Sequence, residues 1–175
     1  MTRLRPPRTR LRRALFRAPI LLYRLGLGGL LGDRFALLTH TGRSSGRPRQ
    51  VVLEVVGAHQ ASGGYLVASG FGARSQWFRN ILHDPRVRFQ VGWRRYAGLA
   101  RPLPAEESGR RLAEYARRHP RTAAWLLRAL GQEIDGSEAA YRRVGSDPEH
   151  GVPLVALTPG DGATATPAGR PGPAG

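Results

Sequence analysis

The stretch RFALLTHTGRSSGRPRQVVLEVVG, residues 34–57, places two runs of apolar and β-branched residues on either side of a short connection rich in glycine and serine. The runs, at 34–41 and 49–57, are typical of β-strands, and their spacing predicts a β-hairpin with a longer loop. The glycines suit a turn, but a turn does not require three arginines, Arg43, Arg47 and Arg49. The stretch therefore predicts the first hairpin and raises the question of what these arginines bind.

Further strands follow the first hairpin. GYLVASG, 64–70, predicts a third strand, and VPLVALTP, 152–159, predicts a last one. Between them, residues 86–103 alternate and predict a second hairpin with its turn at Gly92. One face of that hairpin is expected to carry Val87, Phe89 and Val91. Because the strands arrive mostly as hairpins, we expect a mainly β (α+β) fold with an antiparallel sheet, closed into a barrel and flanked by helices.

Two segments between the strands have helical signals. SQWFRNILHDP, 75–85, predicts a short helix with Ser75 as N-cap and Asp84-Pro85 as its stop. The segment 104–120 predicts a longer helix with acidic residues in its first turn, and RTAAWLLRAL continues helically after it. These helices would flank the barrel.

The beginning of the chain is strongly basic. Seven arginines fall within residues 1–17. They precede an apolar stretch, 18–32, that is shorter than the roughly 20 residues of a spanning helix. No small-residue cleavage site of a signal peptide follows it. We expect residues 1–33 to form a basic segment with a first helix at about 9–25. That segment either packs on the domain or contacts an anionic membrane surface through residues 1–25. Residues 34–158 then form the barrel domain and 159–175 a disordered tail.

The composition excludes several classes of protein. The chain has no cysteine, which rules out disulfides and thiolate metal ligands and favours the cytoplasm. It has no lysine either, so a Walker A NTPase is excluded. The formal charge of +16 keeps a nucleic-acid-binding module as an alternative. We rank it last, since the arginine content is partly compositional and no reader motif occurs.

The usual catalytic signatures are missing from the sequence. There is no G-x-S-x-G elbow, since GRSSG at 42–46 joins two predicted strands and not a strand and a helix, and H-E-x-x-H does not occur. The five histidines are scattered without metal-ligand spacing. The few acidic residues cluster on the predicted helices rather than in facing pairs. We therefore expect no catalytic residue and no metal site. The chemistry would come from a bound cofactor that the protein holds and orients.

Three glycine-rich stretches are candidates for a phosphate site. GLGGLLG, 26–32, lacks the G-x-G-x-x-G spacing and follows a helix, so we expect no dinucleotide site there. GFGARS, 70–75, joins a strand to a helix whose first N–H groups favour an anion, although an ordinary turn explains it equally well. The arginine loop at 41–49 offers hydroxyls, glycine N–H groups and three guanidinium groups. It is either a solvated basic turn or an anion site.

The predicted helix at 75–85 adds an aromatic ring and an amide. Asn80 lies three residues after Trp77, on nearly the same helix face. The pair suits the wall of a site for a planar ring. The alternative is that Trp77 is simply a core residue.

Three segments taken together resemble a known family. LLTHTGRSSGRPRQVVLEVV (37–56), YLVASGFGARSQWFRNILHDPRVRFQVG (65–92) and ARPLPAEE (100–107) are similar to the actinobacterial deazaflavin-dependent nitroreductases, which use coenzyme F-420. The pairing of T-G-R-x-[ST]-G-x-P-R with W-[YF]-x-N carries the resemblance. It implies a split β-barrel of the FMN-binding type. It also implies an enzyme that transfers hydride from reduced F-420 to a quinone-like, nitroaromatic or other hydrophobic acceptor.

The resemblance also implies which residues bind the cofactor. Arg43 and Arg49, with Ser44 and Ser45, would hold the phosphate and glutamate tail of F-420, and Arg47 would substitute for the cation that many members carry at position 44. The further contacts implied are Gly42, Ser69, Gly70, Gly72, Ala73, Gln76, Trp77 and Asn80.

Some features of the function stay open at this stage. Tyr141 is the tyrosine available near the C-terminal substrate region, where the family's nitroreductases are tyrosine-rich, so nitroimidazole activation is not expected to carry over. FMN is the alternative cofactor, and a non-catalytic carrier of F-420 or flavin is the alternative function. The oligomeric state, monomer or dimer, is open.

Overall fold

A closed antiparallel barrel of six strands forms the centre of the computed structural model, which describes residues 32–160 and 166–167. The strands neighbour one another in the order β4-β1-β2-β3-β6-β5, and β5 pairs back with β4 to close the barrel. Their bounds are β1 Phe35–Thr41, β2 Pro48–His59, β3 Gly64–Ala68, β4 Arg86–Val91, β5 Arg94–Pro102 and β6 Leu154–Pro159. The predicted antiparallel, closed architecture is confirmed.

Both predicted hairpins are present. β1 and β2 pair from Phe35 with Glu54 to Thr41 with Pro48, and the arginine loop connects them. β4 and β5 turn at Gly92, whose φ of 54° lies in the left-handed region that glycine adopts without cost. The predicted inward face of β4 is buried at Val87, Phe89 and Val91.

Within residues 32–160, four α-helices flank the barrel, and two core clusters hold them in place. The helices are α1 Gln76–His83, α2 Ala105–Arg118, α3 Pro120–Ala129 and α4 Glu138–Ser146. One cluster fills the barrel, because all six strands and α1 contribute side chains to it. The other lies between β2, β3 and β6 and the helices α2, α3 and α4. The alternation of a strand serves both clusters: Val67 faces the barrel interior, whereas Leu66 faces the helices.

The helices differ from the predictions in three respects. Ser75 occupies the N-cap position of α1, but its side chain makes no capping hydrogen bond. Pro120 begins a separate helix, because a proline has no N–H to continue α2 and is favoured in the first turn of a helix. The sequence analysis missed α4, whose N-cap Ser137 accepts a hydrogen bond from the N–H of Ala140.

The two ends of the chain complete the comparison. The predicted helix at about 9–25, and with it the membrane contact, lies outside the described residues. Within the segment 159–175, a two-residue strand, β7 (Thr166–Pro167), pairs with Arg94 and Arg95 of β5. Within 32–160 and 166–167, no helix has the length and apolar character needed to cross a membrane.

Candidate functional site

The arginine loop between β1 and β2 is a closed, hydrogen-bonded turn. The N–H of Gly42 donates to the carbonyl of Arg47 at 2.9 Å, and the carbonyl of Gly42 accepts from Ser45 and Gly46 at 3.1 and 2.8 Å. Gly46 adopts a φ of 63°. Residues 43–49 of this turn are exposed to solvent.

Arg43 connects this loop to α1. Its guanidinium Nη1 donates to Oε1 of Gln76 at 2.9 Å and to Oδ1 of Asn80 at 3.1 Å, and its backbone N–H donates to the same Oδ1 at 3.2 Å. Gln76 and Asn80 are one helical turn apart, so both face the loop. The structure thus brings together three of the predicted site residues from separate segments.

His40 lies directly behind this contact, and the sequence analysis missed it. Its side chain is 5% exposed, and its Nδ1 lies 3.1 Å from Nδ2 of Asn80. Arg43 has only donors to offer, which fixes Oδ1 of Asn80 toward Arg43 and Nδ2 toward His40. Nδ1 of His40 is then the acceptor, and the ring proton sits on Nε2.

The environment of His40 favours this neutral ring. Burial lowers the pKa of His40 below its usual 6.5, a backbone hydrogen bond at Thr41 opposes that shift, and the positive charge of Arg49 lowers the pKa further. Arg49 is the register partner of His40 on β2. Alternation along β1 could have revealed His40, since it shares the inward face with Ala36 and Leu38 next to the loop.

The turn after β3 packs beside the start of α1. Ser69 is fully buried, and its hydroxyl lies 3.3 Å from the carbonyl of Gly72 and 3.4 Å from the Ser75 hydroxyl. Gly72 has a φ of 50°, and a Cβ there would lie 2.7 Å from the Pro148 carbonyl. The N–H of Ala73 donates to that same carbonyl at 2.9 Å. The structure thus gives this turn a packing role.

Two predicted site residues lie in the hydrophobic core. Trp77 is 8% exposed, belongs to the cluster inside the barrel and meets the ring of Phe78 edge-on at 5.8 Å. Tyr141 is 6% exposed and belongs to the cluster under the helices, which contains no residue of the arginine loop or of α1. The structure does not bring Tyr141 together with Arg43.

The cations of the loop have no carboxylate partner in the described part of the chain. Among residues 32–160, Arg43, Arg47 and Arg49 form no ion pair, whereas Arg34, Arg86, Arg110, Arg111, Arg118 and Arg142 do. Exposed guanidinium groups without a counter-charge are suited to an external anion, which they grip through two parallel hydrogen bonds. The donor set therefore fits a phosphate or a carboxylate-bearing group.

A surface depression of about 690 Å³ lies elsewhere, on α3. Its lining residues are Pro120, Arg121, Ala124, Trp125, Arg128 and Ala129. It carries two cations and an exposed tryptophan, but among the described residues its side chains form no hydrogen-bonded polar network. We therefore place the candidate site at the arginine loop and α1, where hydrogen bonds connect two separate segments.

Comparisons with known proteins agree with the fold. A family model described as F420H(2)-dependent quinone reductase matches residues 24–126, more than half of the chain. No curated protein matches the chain.

Solved structures resemble the chain at low identity. A protein of unknown function from Agrobacterium tumefaciens matches with a TM-score of 0.53 and 16% identity over 98% of this chain, which spans 64% of that protein's length. A conserved hypothetical protein from Mycobacterium tuberculosis gives 0.48 and 16%, covering 90% of this chain and 86% of the other. An F420-H2 dependent reductase, FDR-A, gives 0.40 and 24%, covering 71% and 95%. The likeness to the Agrobacterium protein shows a shared fold.

Proposed function

We propose that this chain, which belongs to the F420H(2)-dependent quinone reductase family, transfers hydride from reduced F-420 to a small hydrophobic acceptor such as a quinone or a nitroaromatic compound. The observation that supports this best is the junction between the arginine loop and α1. There Arg43, already fixed by Gln76 and Asn80, shares a loop with Arg47 and Arg49, which have no carboxylate partner among the described residues.

The residues of the loop would hold the anionic part of the cofactor. F-420 carries a phosphate and a glutamate tail on a deazaflavin ring, and these anions match exposed guanidinium groups. Arg43 and Arg49, with the hydroxyls of Ser44 and Ser45, would contact the phosphate and tail. Arg47 would supply the additional cation next to Ser44.

The ring would lie near the buried end of the site. Reduced F-420 supplies the hydride when bound, so the chain needs to bind and orient it rather than provide an acid–base pair. Ser69, Gly70, Gly72 and Ala73 would line the deazaflavin. Gln76 and Asn80 present amides beside Arg43, and Trp77 supports this wall from the core. Among the possible acceptors, we propose a quinone first.

A non-catalytic carrier of F-420 or flavin is the second candidate, and FMN is the second cofactor. The absence of any described acid–base pair at the junction is as compatible with a carrier as with hydride transfer. Turnover separates the two. An enzyme oxidises reduced F-420 in the presence of menadione or a nitroaromatic acceptor, whereas a carrier binds F-420 without oxidising it.

Titration of the purified protein with F-420, and separately with FMN, tests the cofactor assignment. We expect a fluorescence change on binding F-420. Arg43→Ala and Arg49→Ala should each weaken binding by about 1.5–3 kcal/mol, since each removes hydrogen bonds to a charged group. This corresponds to roughly 10- to 150-fold in Kd.

Arg128→Ala is the matched control, because Arg128 is an exposed arginine of the α3 depression and not part of the arginine loop. It changes the net charge by the same amount and should leave Kd unchanged. Equal losses in all three variants would mean that net charge, and not the loop, drives binding. A loss in Arg128→Ala alone would move the site to α3.

A further inference from the structure

The series of contacts from His40 through Asn80 to Arg43 supports one proposal that goes beyond cofactor binding. Asn80 is 5% exposed and links a buried imidazole to an exposed guanidinium. Its Oδ1 accepts two hydrogen bonds from Arg43, at 3.2 and 3.1 Å, and its Nδ2 donates the one to His40. Both Oδ1 and Nδ2 of Asn80 therefore have partners, and turning the amide over would break its hydrogen bonds to both neighbours.

We infer that His40 is a positioning residue: as the neutral ring it holds the Asn80 amide in the one orientation that accepts both Arg43 hydrogen bonds. With respect to F-420 the inference rests on the proposed function. The linkage between the three side chains does not depend on a ligand.

Protonation of His40 reverses this arrangement. A protonated ring carries an N–H on Nδ1, which faces the N–H groups of Asn80 Nδ2. Two donors cannot bond, so the amide has to turn and present Oδ1 to His40. Its Nδ2 then faces the guanidinium and the backbone N–H of Arg43, which are all donors, and both hydrogen bonds from Arg43 to Asn80 are lost.

The surroundings of His40 determine how readily it is protonated. Asn80 faces it from α1, the backbone of Thr41 offers it a hydrogen bond, Val87 is its register partner on β4, and Arg49 is its partner on β2. Arg49 is the charged group among these and opposes protonation. Because binding and protonation are linked, a ligand that needs both hydrogen bonds from Arg43 to Asn80 opposes protonation of His40 by the same factor by which protonation weakens its binding.

The first experiment uses the ligand-free, full-length protein. In ¹⁵N-histidine NMR spectra at pH 8, assigned with His40→Asn, we expect His40 to carry its proton on Nε2 with Nδ1 unprotonated. As the pH falls, the side-chain amide of Asn80 and the backbone N–H of Arg43 should shift with the same midpoint as His40. A proton on Nδ1 at pH 8, or an Asn80 amide that ignores the titration, would overturn the inference.

The second experiment measures Kd for F-420 from pH 8 downward in wild type, His40→Asn and His83→Asn. Asparagine places an amide oxygen near the position of Nδ1 and does not titrate. His40→Asn should therefore keep the neutral-pH affinity and lose the pH step. The control is His83→Asn, because His83 is an exposed histidine on α1. The affinity of wild type and of this control for F-420 should fall about tenfold as His40 is protonated, which corresponds to the loss of one or two ordinary hydrogen bonds.

The carboxylates of F-420 titrate equally in all three proteins and cancel in the comparison. The same step in His40→Asn as in wild type would contradict the inference. If neither wild type nor any variant binds F-420, the proposed function fails, but the NMR experiment still tests the role of His40. If His40→Asn does not fold, the NMR titration of the wild-type protein tests that role on its own.

Discussion

At the scale of single residues, the site consists of one charged side chain held by two neutral amides and a buried imidazole. An arginine side chain on a surface loop ordinarily loses rotational freedom about several bonds when it binds a ligand. Arg43 has already lost that freedom, because Gln76 and Asn80 hold it before any ligand arrives. Pre-organisation of this kind reduces the entropic cost of binding.

The sequence predicted the members of this arrangement unevenly. Arg43, Gln76 and Asn80 were predicted as cofactor residues through the resemblance, and the structure brings them together. Composition alone could not separate a solvated basic turn from an anion site, because that depends on a contact between residues 37 positions apart. Alternation along β1 places His40 on the inward face, but it does not identify the partner of His40, which lies 40 positions away in the sequence.

The lowered pKa of His40 predicts that the protein is less stable in acid than in neutral solution. The unfolded chain binds a proton at His40 near pH 6.5, whereas the folded protein does so at lower pH. Stability therefore falls as the pH drops from about 6.5 to the lowered pKa, and it is fully retained above 6.5. We expect urea-unfolding free energies measured from pH 8 to pH 5 to show this slope in wild type.

The comparison of His40→Asn with wild type isolates the histidine from the other titrating groups. The slope should disappear in His40→Asn and persist in His83→Asn. Asp84, Asp135 and Asp147 do not contribute between pH 8 and pH 5, since hydrogen bonds to nearby groups hold their pKa values below the usual 3.8. Identical slopes in wild type and His40→Asn would show that His40 is not buried as a neutral ring.

At the scale of elements, α2 and α4 pack unusually closely, and one serine connects them to the sheet. A Cβ on Gly145 would lie 2.8 Å from the Cα of Gly109 and 3.0 Å from the Ser108 carbonyl, so this crossing requires small residues. The Ser108 hydroxyl donates to the carbonyl of Gly145 at 2.6 Å and accepts from the N–H of Leu154 at 2.9 Å. One side chain thus satisfies two buried backbone groups from α4 and β6.

Ser108→Ala should destabilise the protein by about 1–3 kcal/mol, because it leaves a buried N–H and a buried carbonyl without partners. Ser108 is 1% exposed, so water does not readily replace the hydroxyl. Chemical denaturation measures the loss. Ser44→Ala is the control, since Ser44 is exposed on the loop and should change the unfolding free energy by less than about 0.5 kcal/mol. A neutral Ser108→Ala would mean that the two backbone groups find other partners.

The sequence of α4 explains why this helix was not predicted. Its sequence, EAAYRRVGS, contains a glycine near its end and only a few apolar residues, which is a weak helical pattern. The helix is stabilised instead by burial of Ala140, Tyr141 and Val144 against α2 and the sheet, and by the cap at Ser137. Tertiary packing overrides local propensity here. The sequence pattern of a β-hairpin, in contrast, lies within one short segment of the chain, and both hairpins were predicted.

At the scale of the whole molecule, the closed barrel explains why antiparallel hairpins were sufficient to predict the fold. Closure removes exposed strand edges, and the pairing of β4 with both β1 and β5 achieves it. The order β3-β6-β5 requires β6 to insert between strands distant in sequence, which no local pattern specifies. The strands were predicted from sequence, but their order needed the tertiary structure.

The uneven charge of the chain leads to a last prediction, on membrane contact. Residues 1–17 carry seven arginines and no acidic residue, and a quinone acceptor would itself reside in a membrane. We expect the full chain to bind vesicles that contain anionic lipid and to release as salt rises, since each arginine near the surface contributes about 1 kcal/mol that salt screens. Deletion of residues 1–17 should abolish binding, and purely zwitterionic vesicles should bind neither protein. Sedimentation with vesicles measures this. If the shortened chain, which keeps its other arginines and a net positive charge, sediments as well as the full one, the cations of the folded domain and not the N-terminal segment make the contact.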